Sequence, residues 1–468
     1  MKKISTLALC AAAAGLLTAA QAANYTTAGN GATVTLSSLA KIDGSGVTKA
    51  GNVITIADSV TVAAGDKFQL EDGLTVKMAD KVALRIDGPA DFQVANGTTF
   101  TAVEGTNPYA ISVWDATQTT KLKNVTFDQV GFRGPGKAFE VTDCHFTNFN
   151  GANSNHGAFT MNNNGAHYKF QNCTFERCAY SAIIGAANYN TPVIVENCQF
   201  IKNGTHNRLY PQLNLTASDT VIVRGCTVVG DTAYLRVGGI SVGNLLGHGG
   251  TLYTLIEGNT VTDNSYGIGI TGPANVIIKD NVIKNNTRIA KAAQGGSGIS
   301  TSSTGADHPI VIEGNQIEGN LWGVTVIGNA KYHANVNLGK LDKSAADYNP
   351  GNNVFKNNGN GGVLYDLYNN SQDTVWAQGN TWNVAIQDSA SIETVITHKA
   401  DNESLGLVIF MPANQNTGIT ESQVADRQVA SVAYYDLMGR KSSELRDGIN
   451  IQVIRYTDGT SVSKKVIK

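Results

Sequence analysis

The sequence predicts an all-β solenoid, a chain wound into stacked coils, on the strength of three observations. Short segments of alternating apolar residues recur, each followed by a polar turn and often by glycine and a second strand, as at 264–270. The copies share the template apolar-x-[Asn/Asp/Gly]-[Cys/Asn]-x-apolar, with unequal numbers of residues between them. No copy contains the 3.6-residue period of a crossover helix, which excludes βαβ units.

Two series of residues mark like positions in successive coils. The first ladder is the template's central position, namely Cys144, Cys173, Cys198, Cys226, Asn259, Asn281, Asn315, Asn353 and Asn380. The second ladder follows most of these five residues later and contains Cys178, Asn203, Asp231, Asn264, Asn286, Asn320 and Asn358. A constant offset in coils of unequal length predicts that like residues stack about 4.8 Å apart, where Asn side chains can hydrogen-bond along the stack.

The repeats resemble a known family. Copies such as ENCQFIKN and EGNTVTDNSYGI are similar to the "NxIxxNxxxGI" repeat of the right-handed parallel β-helix proteins, the pectin-lyase-like superfamily. The resemblance extends from about Leu122 to Trp382 and implies a right-handed parallel β-helix. Residues 379–412 resemble the closing segment of bacterial β-helix proteins, with "GNxW", "IxxxIxHxxD" and "LGxVxFxP". That resemblance implies an apolar cap in which His398 is a packing residue rather than a ligand.

The segments before the repeats have other expected roles. Residues 1–22 combine Lys2 and Lys3, an apolar run and Ala20-Gln21-Ala22, which predicts a secretory signal peptide. A lipoprotein anchor at Cys10 is the alternative, although Leu9 stands where a small residue is needed. Residues 23–121 carry short alternating strands and are expected to form irregular coils that cap the open end of the solenoid. No later stretch is apolar enough to predict a transmembrane span.

The tail is predicted to be a separate small β domain, at residues 421–468 after a linker at 413–420 and a repeat region with its cap at 122–412. It resembles the C-terminal sorting domain of the type IX secretion system of Bacteroidetes. The matching residues are Tyr435, Asp436, Leu437, Gly439, Arg440, Gly448, Ile449, Ile451 and Lys464 to Lys468. With the signal peptide, the resemblance implies a secreted protein attached to the outer-membrane surface, with the type IX machinery as a partner.

Composition and cysteine content restrict the partners and cofactors. Charged residues make up 15% of the chain and the net charge is −2, without a basic run, which argues against nucleic acid. Removal of Cys10 leaves five cysteines, so one thiol stays free unless chains cross-link. The cysteines of the first ladder are interpreted as buried packing residues, because stacked coils place sulfurs in a line and zinc needs a tetrahedron. The expected distance between neighbouring coils also permits a disulfide between their cysteines, so that alternative is kept.

A charge column is expected two residues before the first ladder. Its members alternate in sign: Glu196, Arg224, Glu257, Lys279 and Glu313. We interpret the column as a solvated ladder that favours the correct register rather than as a relay of catalytic acids.

Residues 237–271 resemble the catalytic region of polygalacturonases without its working groups. The position of that family's histidine falls on Gly238, and those of its substrate-binding Arg and Lys fall on Gly269 and Thr271. No paired aspartates precede them, so glycoside hydrolysis is not expected. The outward residues of the glycine-led strands are predicted to be small and neutral: Asn214, Ser241, Gly269, Ser300 and Thr325.

Two functions are compatible with these features. The first is non-catalytic binding of extracellular polysaccharide, with sugar rings stacked on loop aromatics. The candidate aromatics are Tyr210, Tyr234, Tyr253, Trp322 and Tyr368. The second is a polysaccharide lyase acting on uronate-containing glycans through basic residues on loops. The candidate catalytic residues are His206, Arg208, Arg236, His248, Arg288 and Lys291. No cofactor or metal is expected, except Ca²⁺ if the chain is a lyase.

Overall fold

The computed structural model describes residues 24–151, 156–185, 191–216, 219–244, 252–292, 294–302, 304–414, 429–436, 440–446, 449–457 and 461–467. The predicted signal peptide lies outside these residues. The chain divides into two units, and the boundary between them falls after Ala413. In the described residues the helices are short, Leu36–Leu39 and Ser389–Glu393, and nearly all other regular structure is β, as predicted. No helix in the described ranges has the length and apolar character needed to cross a membrane.

The first unit is a parallel β-helix built of three sheets. Sheet 1 has fourteen strands: Tyr25–Thr26, Val60–Val62, Ala83–Ile86, Ala110–Val113, Phe132–Gly134, Phe159–Met161, Ile183–Gly185, Pro211–Thr216, Gly238–Gly243, Ile268–Thr271, Ser297–Ser302, Trp322–Ile327, Leu367–Asn370 and Ile396–Thr397. Its strands pair in parallel, each with the strand of the next coil.

Sheets 2 and 3 share two long strands, Ala90–Ala102 and Thr119–Asp128. The other strands of sheet 2 are Thr33–Val34, Lys67–Gln69, Ala138–Thr142, His167–Gln171, Val193–Glu196, Thr220–Arg224, Tyr253–Glu257, Asn275–Lys279, Ile310–Glu313, Val336–Gly339, Val375–Ala377 and Val408–Ile409. The other strands of sheet 3 are Val47–Ala50, Val53–Ile56, Thr75–Met78, His145–Thr147, Thr174–Glu176, Gln199–Ile201, Thr227–Val229, Thr260–Thr262, Val282–Lys284, Gln316–Glu318 and Val354–Lys356. A short hairpin joins Gly359–Asn360 to Val363–Leu364.

The corner between sheets 2 and 3 explains the template's polar position. The residue before each member of the first ladder has a positive φ, for example 53° at Asp143, 55° at Asn172 and 66° at Gly314. Only Gly, Asn and Asp adopt this left-handed conformation readily. The Asn, Asp or Gly of the template therefore forms a one-residue turn that directs the side chain of the next residue into the interior.

The first ladder is a continuous interior stack in its asparagine part. Asn259 donates from its side-chain amide to Oδ1 of Asn281 at 2.9 Å, and Asn281 donates to Asn315 in the same way. The pattern continues through Asn353 to Asn380. In the cysteine part, the Cys173 amide donates to Sγ of Cys198 at 3.4 Å. The five described cysteines are free and buried, and burial raises the pKa of Cys178 to about 12.

One predicted member of the second ladder is wrong. Asn203 and Asn264 belong to the stack, but Asp231 is partly exposed and its carboxylate caps the Ala233 amide. Gln212, from the neighbouring strand of sheet 1, occupies the gap instead. Its Oε1 accepts from Asn203 and its Nε2 donates to Asn264 Oδ1 at 2.9 Å. The longer Gln side chain bridges two coils where the chain after Gly230 leaves the regular path.

The far end of the second ladder is a buried acid. Asn358 Nδ2 donates to Oδ1 of Asp366 at 3.1 Å, and the Asn383 amide donates to Oδ2 at 2.8 Å. Asp366 is fully buried, and desolvation raises the pKa of its carboxyl to about 6. The asparagine stack therefore ends on a carboxylate rather than on water.

Apolar residues fill the rest of the interior in register. Phe127, Phe146 and Phe175 stack face to face with ring centroids 4.7 Å apart, and aliphatic residues occupy the same column in later coils. Trp382 lies on Phe355 at 4.9 Å and closes this column. At the other end, the buried Asp66 accepts from Thr27 Oγ1 and from the amides of Gly29, Gly31 and Ala32, which fixes the first coil.

The predicted charge column lies on sheet 2. Glu196, Arg224, Glu257, Lys279 and Glu313 are register partners on successive strands. Glu257 bridges its two neighbours, with ion pairs of 3.5 Å to Arg224 and 2.8 Å to Lys279. The three central charges of the column are therefore paired with one another.

The second unit is a four-stranded antiparallel sheet of Val429–Asp436, Lys441–Ser442, Ile449–Tyr456 and Ser461–Ile467. Arg440 returns to Asp436 through a 2.7 Å ion pair that holds the first turn. Four of the residues that carry the tail's resemblance lie outside the described residues, namely Leu437, Gly439, Gly448 and Lys468.

Candidate functional site

The outer face of sheet 1 is the candidate site, because its register aligns one residue of each coil into a column. From the N-terminal end this sheet-1 column contains Thr26, Thr61, Arg85, Ser112, Arg133, Thr160, Ile184, Asn214, Ser241, Gly269, Ser300, Thr325, Tyr368 and Thr397. Two clefts lie over its C-terminal half. From Ser241 to Thr397 the column rises about 24 Å at the usual strand spacing.

The central cleft has a volume of about 300 Å³ and a neutral lining. It is formed by Ser241, Tyr266, Gly269, Ile270, Thr271, Gln294, Gly295, Ser300, Ser302 and Ile327. The hydroxyls of Thr271, Ser300 and Ser302 make no side-chain hydrogen bond within the described chain. These groups remain able to donate to and accept from a hydroxylated ligand.

Two glycines allow a tyrosine to lie flat on this face. A Cβ at Gly238 would come within 2.2 Å of the Tyr266 ring, and one at Gly269 within 3.0 Å. Burial raises the pKa of Tyr266 to about 12, although its hydrogen bond with Ser241 acts in the opposite direction. The phenol is therefore protonated at neutral pH. Gly238 and Gly269, which align with polygalacturonase functional positions in sequence, here make room for an aromatic wall.

The C-terminal cleft is larger, about 490 Å³, and has aromatic and acidic walls. It is lined by Trp322, Val363, Leu364, Tyr365, Tyr368, Glu393, Thr394, Ile396, Thr397 and Asp401. Trp322 and Tyr365 have ring centroids 6.1 Å apart. Tyr368 and Thr397 are members of the sheet-1 column, so the two clefts lie along the same row of strands.

Glu393, His398 and Asp401 have ligand atoms within 4.8 Å of one another, a spacing compatible with a metal site. His398 Nδ1 accepts from the Val408 amide at 2.9 Å, so its proton is on Nε2, which donates to Glu393 Oε1 at 2.7 Å. Asp401 accepts from the His398 amide. Both ring nitrogens of His398 are therefore used in hydrogen bonds within the cap, and the ring has no lone pair left for a metal.

The predicted loop cations are placed on the surface. His206, Arg208, Arg236 and Lys291 are exposed, Arg288 is partly buried, and His248 lies outside the described residues. His206 packs edge-on against Tyr180 at 4.9 Å, and Tyr210 packs against the same ring. The Arg236 amide donates to Asn207 Oδ1 at 3.0 Å, which brings together the loop insertions that follow Asn203 and Asp231. Arg288 Nε is buried without a hydrogen-bond partner in the described chain.

The predicted aromatics are not all loop residues, and they do not share one surface. Tyr253 is half exposed on a strand of sheet 2. Trp322 and Tyr368 are on strands of sheet 1, where Trp322 is buried and Tyr368 is partly exposed. Tyr210 and Tyr234 precede strands of sheet 1 in the loops. Of the five, Trp322 and Tyr368 line the C-terminal cleft.

The prediction of a small, neutral outward row from Asn214 to Thr325 needs one correction. Thr325 is buried, because its hydroxyl bonds Ser297 Oγ at 2.8 Å and Tyr368 lies beside it on the next strand. The sheet-1 column extends beyond the predicted row, and in the N-terminal coils it contains Arg85 and Arg133, which were not predicted. The sequence ALRI contained a signal for Arg85, because Arg85 stands between the buried Leu84 and Ile86 in an alternating strand.

Among the comparisons with known proteins, one family model bears on the fold. Residues 247–339 match the family model described as right handed beta helix region, which confirms the predicted handedness. A mutant of the periplasmic alginate epimerase AlgG is 12% identical, with a TM-score of 0.40, over 81% of this chain and 84% of that one.

The A-module of the Azotobacter vinelandii mannuronan C-5 epimerase AlgE6 is 13% identical, with a TM-score of 0.31, over 77% of this chain and 87% of that one. The tailspike protein of E. coli bacteriophage HK620, in complex with a pentasaccharide, is 11% identical, with a TM-score of 0.33, over 93% of this chain and 86% of that one. Likeness at this level does not extend to activity or substrate. No curated protein matches the sequence.

Proposed function

We propose that this chain is an exported β-helix protein that binds extracellular polysaccharide along the outer face of sheet 1 without cleaving it. The observation that carries the proposal is the sheet-1 column with its two clefts. Over several strands it offers unbonded hydroxyls in the central cleft and aromatic rings in the C-terminal cleft. Sugars present hydroxyls at the ring edge and apolar C–H groups at the ring face, which such a surface complements.

Two features of this face support binding without cleavage. Glycoside hydrolysis needs two carboxylates on opposite sides of the scissile bond, and no acid or cation lines the described central cleft. In the C-terminal cleft, Glu393 and Asp401 each accept a hydrogen bond from His398, which fixes them in the cap. These hydrogen bonds support the proposal of binding without turnover.

The second candidate function is a polysaccharide lyase acting on uronates. It is supported by the contact that brings the insertions carrying Arg208 and Arg236 together, and by the absence of an ion pair for either guanidinium among the described residues. In that case the two cations would neutralise a uronate carboxylate while a base removes the adjacent proton. Both arginines are exposed on loops, which position charges less rigidly than strands do.

The two candidates are separated by measuring retention and turnover on one panel. Purified protein is run through gels containing neutral and uronate polysaccharides, and each polymer is also assayed for the absorbance of 4,5-unsaturated products. We expect retention on at least one polymer and no unsaturated product. The double variant Arg208→Ala with Arg236→Ala should weaken retention by less than about threefold, as exposed loop contacts do. Depolymerisation that this double variant abolishes would replace the binding function with the lyase.

We also propose export by the secretory route, with the C-terminal unit as the address for surface attachment. Support comes from the leader-like residues 1–22 and from the tail's resemblance to sorting domains. Deleting residues 421–468 in a host with type IX secretion should leave the protein in the periplasm. Undiminished surface display of the truncated chain would refute the role of the tail.

A further inference from the structure

The N-terminal part of the sheet-1 column carries an arginine and aromatic cluster outside both clefts. Arg85, Ser112 and Arg133 are register partners on three adjacent strands. Tyr109 and Trp114 flank the middle strand, Ala110–Val113, and are 47% and 44% exposed. The Arg133 guanidinium lies 4.1 Å from the Tyr109 ring centroid, and that of Arg85 lies 4.6 Å from the ring of Trp114. Each ring therefore fixes one cation on a rigid sheet.

The two arginines differ in whether their charge is neutralised. Arg85 Nε donates to Asp87 Oδ1 at 2.6 Å. Arg133 has no carboxylate within ion-pair distance in the described chain, and its one hydrogen bond goes from Nη1 to the Tyr109 hydroxyl at 2.6 Å. A guanidinium has five N–H donors in a planar fork, so most of those on Arg133 stay available. The contact with the Tyr109 ring and the hydrogen bond to its hydroxyl hold the Arg133 guanidinium in place without neutralising its charge.

The neighbouring groups leave a net positive charge around Arg133. A small cavity of about 110 Å³ beside it is lined by Asp80, Lys81, Asn107, Pro108, Tyr109, Arg133, Phe149 and His156. Asp80 accepts from the Asn107 amide and lies 3.7 Å from the Lys81 ammonium, so this carboxylate is already engaged. Burial, and then the charge of Arg133, lower the pKa of His156, so its ring is neutral at neutral pH. The one unmatched charge in the cluster is that of Arg133.

We infer that Arg133 and Tyr109 form an anion-recognising subsite for the carboxylate of a uronic acid unit in the bound polysaccharide, with the exposed rings of Tyr109 and Trp114 contacting the sugar. A planar guanidinium matches the two oxygens of a carboxylate in a bidentate pair. From Thr160 to Thr397 the sheet-1 column has no further cation, and the C-terminal cleft over it has the acids Glu393 and Asp401 on its walls, so the ligand is a largely neutral chain with acidic units. This inference rests on the proposed function and adds the class of polymer to it.

The test uses probes that differ only in charge. Oligogalacturonate and oligomannuronate are titrated calorimetrically beside their methyl esters, which keep the sugar but remove the anion. We expect the wild-type chain to bind at least one acid about tenfold more tightly than its ester, as a charge-assisted hydrogen bond provides. Arg133→Gln should abolish that difference. Arg133→Lys should keep part of it, because it retains the charge without the fork.

Arg85→Gln is the matched control, since it removes a cation that Asp87 already neutralises, and it should keep the acid preference. Equal thermal unfolding of both Gln variants excludes a folding defect. Equal affinity for acid and ester in the wild-type chain would overturn the inference and leave polysaccharide binding intact. An equal loss in Arg85→Gln and Arg133→Gln would also overturn it, since it would indicate a general field rather than a subsite. If neither acid nor ester binds, the inference fails, and the polymer panel decides the proposed function separately.

Discussion

Asn281 in the interior and Ser300 on the sheet-1 face are both polar, but their surroundings differ. Asn281 accepts from the amide and side chain of Asn259 and donates to Ile256 O, Lys279 O and Asn315, each at 2.9 Å. Ser300 has no side-chain hydrogen bond within the described chain. Interior polar groups are thus used up in holding the coils in register, whereas those on the face remain for water or a partner.

The largest effect is expected where an interior bond network is broken. Asn281→Ala leaves two donors of Asn259 without their acceptor in a buried site. It also removes a donor from the carbonyls of Ile256 and Lys279, the second of which still accepts from the Gly258 amide. We expect the free energy of unfolding to fall by about 4 kcal/mol or more, given 1–3 kcal/mol for each unsatisfied buried group. Ser300→Ala is the control and should change it by less than about 0.5 kcal/mol. Urea denaturation measures both, and similar losses in the two variants would contradict the comparison.

The buried acid at the end of the second ladder should make stability depend on pH. The folded-state pKa of Asp366 is about 6, raised from 3.8 by desolvation, so the folded chain binds this proton more tightly than the unfolded chain. Its contribution is fully present below about pH 4 and is lost as the pH rises through 6. Asp366→Asn removes that dependence. The unfolding free energy of the wild-type chain should drop by about 2 kcal/mol relative to the variant between pH 4 and 7. A difference that stays constant over this range would show that Asp366 titrates normally.

On the face, aromatic truncation should affect binding and leave folding unchanged. Tyr368→Ala removes a ring from the C-terminal cleft, and we expect about a tenfold loss of polysaccharide affinity, the usual order for a stacked aromatic. Tyr253→Ala removes a half-exposed tyrosine from sheet 2 and should leave affinity unchanged. Affinity electrophoresis compares the two. A greater loss in Tyr253→Ala would move the binding surface to sheet 2.

The smallest effect is expected in the charge column of sheet 2. Glu257→Gln breaks ion pairs to Arg224 and Lys279, both of which are partly exposed, so the loss of stability should be about 0.5–1 kcal/mol and should shrink in high salt. Glu313→Gln, at the end of the column, should cost less. A salt-independent loss in Glu257→Gln would indicate that packing rather than charge holds the column.

The sequence predicted the interior better than the surface, for a physical reason. A ladder position needs a left-handed turn before it and a small or amide side chain at the turn, and both requirements are visible as residue types at Asp143 or Asn172. Gln212 could not be found in this way, since it reaches the second ladder from sheet 1 and across a loop, outside the five-residue offset. The offset pointed to Asp231, where the chain has already left the coil.

The sequence analysis predicted charged site residues only on loops, and this limited the prediction of the site. The small residues of the central strands suggested that cations lie on loops, yet the described sheet carries Arg85 and Arg133 several coils away in the N-terminal region. Their environment depends on Tyr109 and Trp114 at the ends of the intervening strand, and such cross-strand contacts follow from register, which one sequence does not specify. The clefts depend in the same way on Tyr266 crossing to Gly238 and on the closing segment reaching Tyr368.

The central claim, that the sheet-1 face binds polysaccharide, is tested most directly by filling the central cleft. Ser300→Trp places an indole in a space of about 300 Å³, whereas Thr260→Trp places the same group at an exposed position of sheet 3. Both variants are compared with the wild-type chain on the polymer that retains it best. We expect Ser300→Trp to lose affinity by about tenfold or more, with unchanged unfolding, and Thr260→Trp to bind normally. Normal binding by Ser300→Trp would contradict the account.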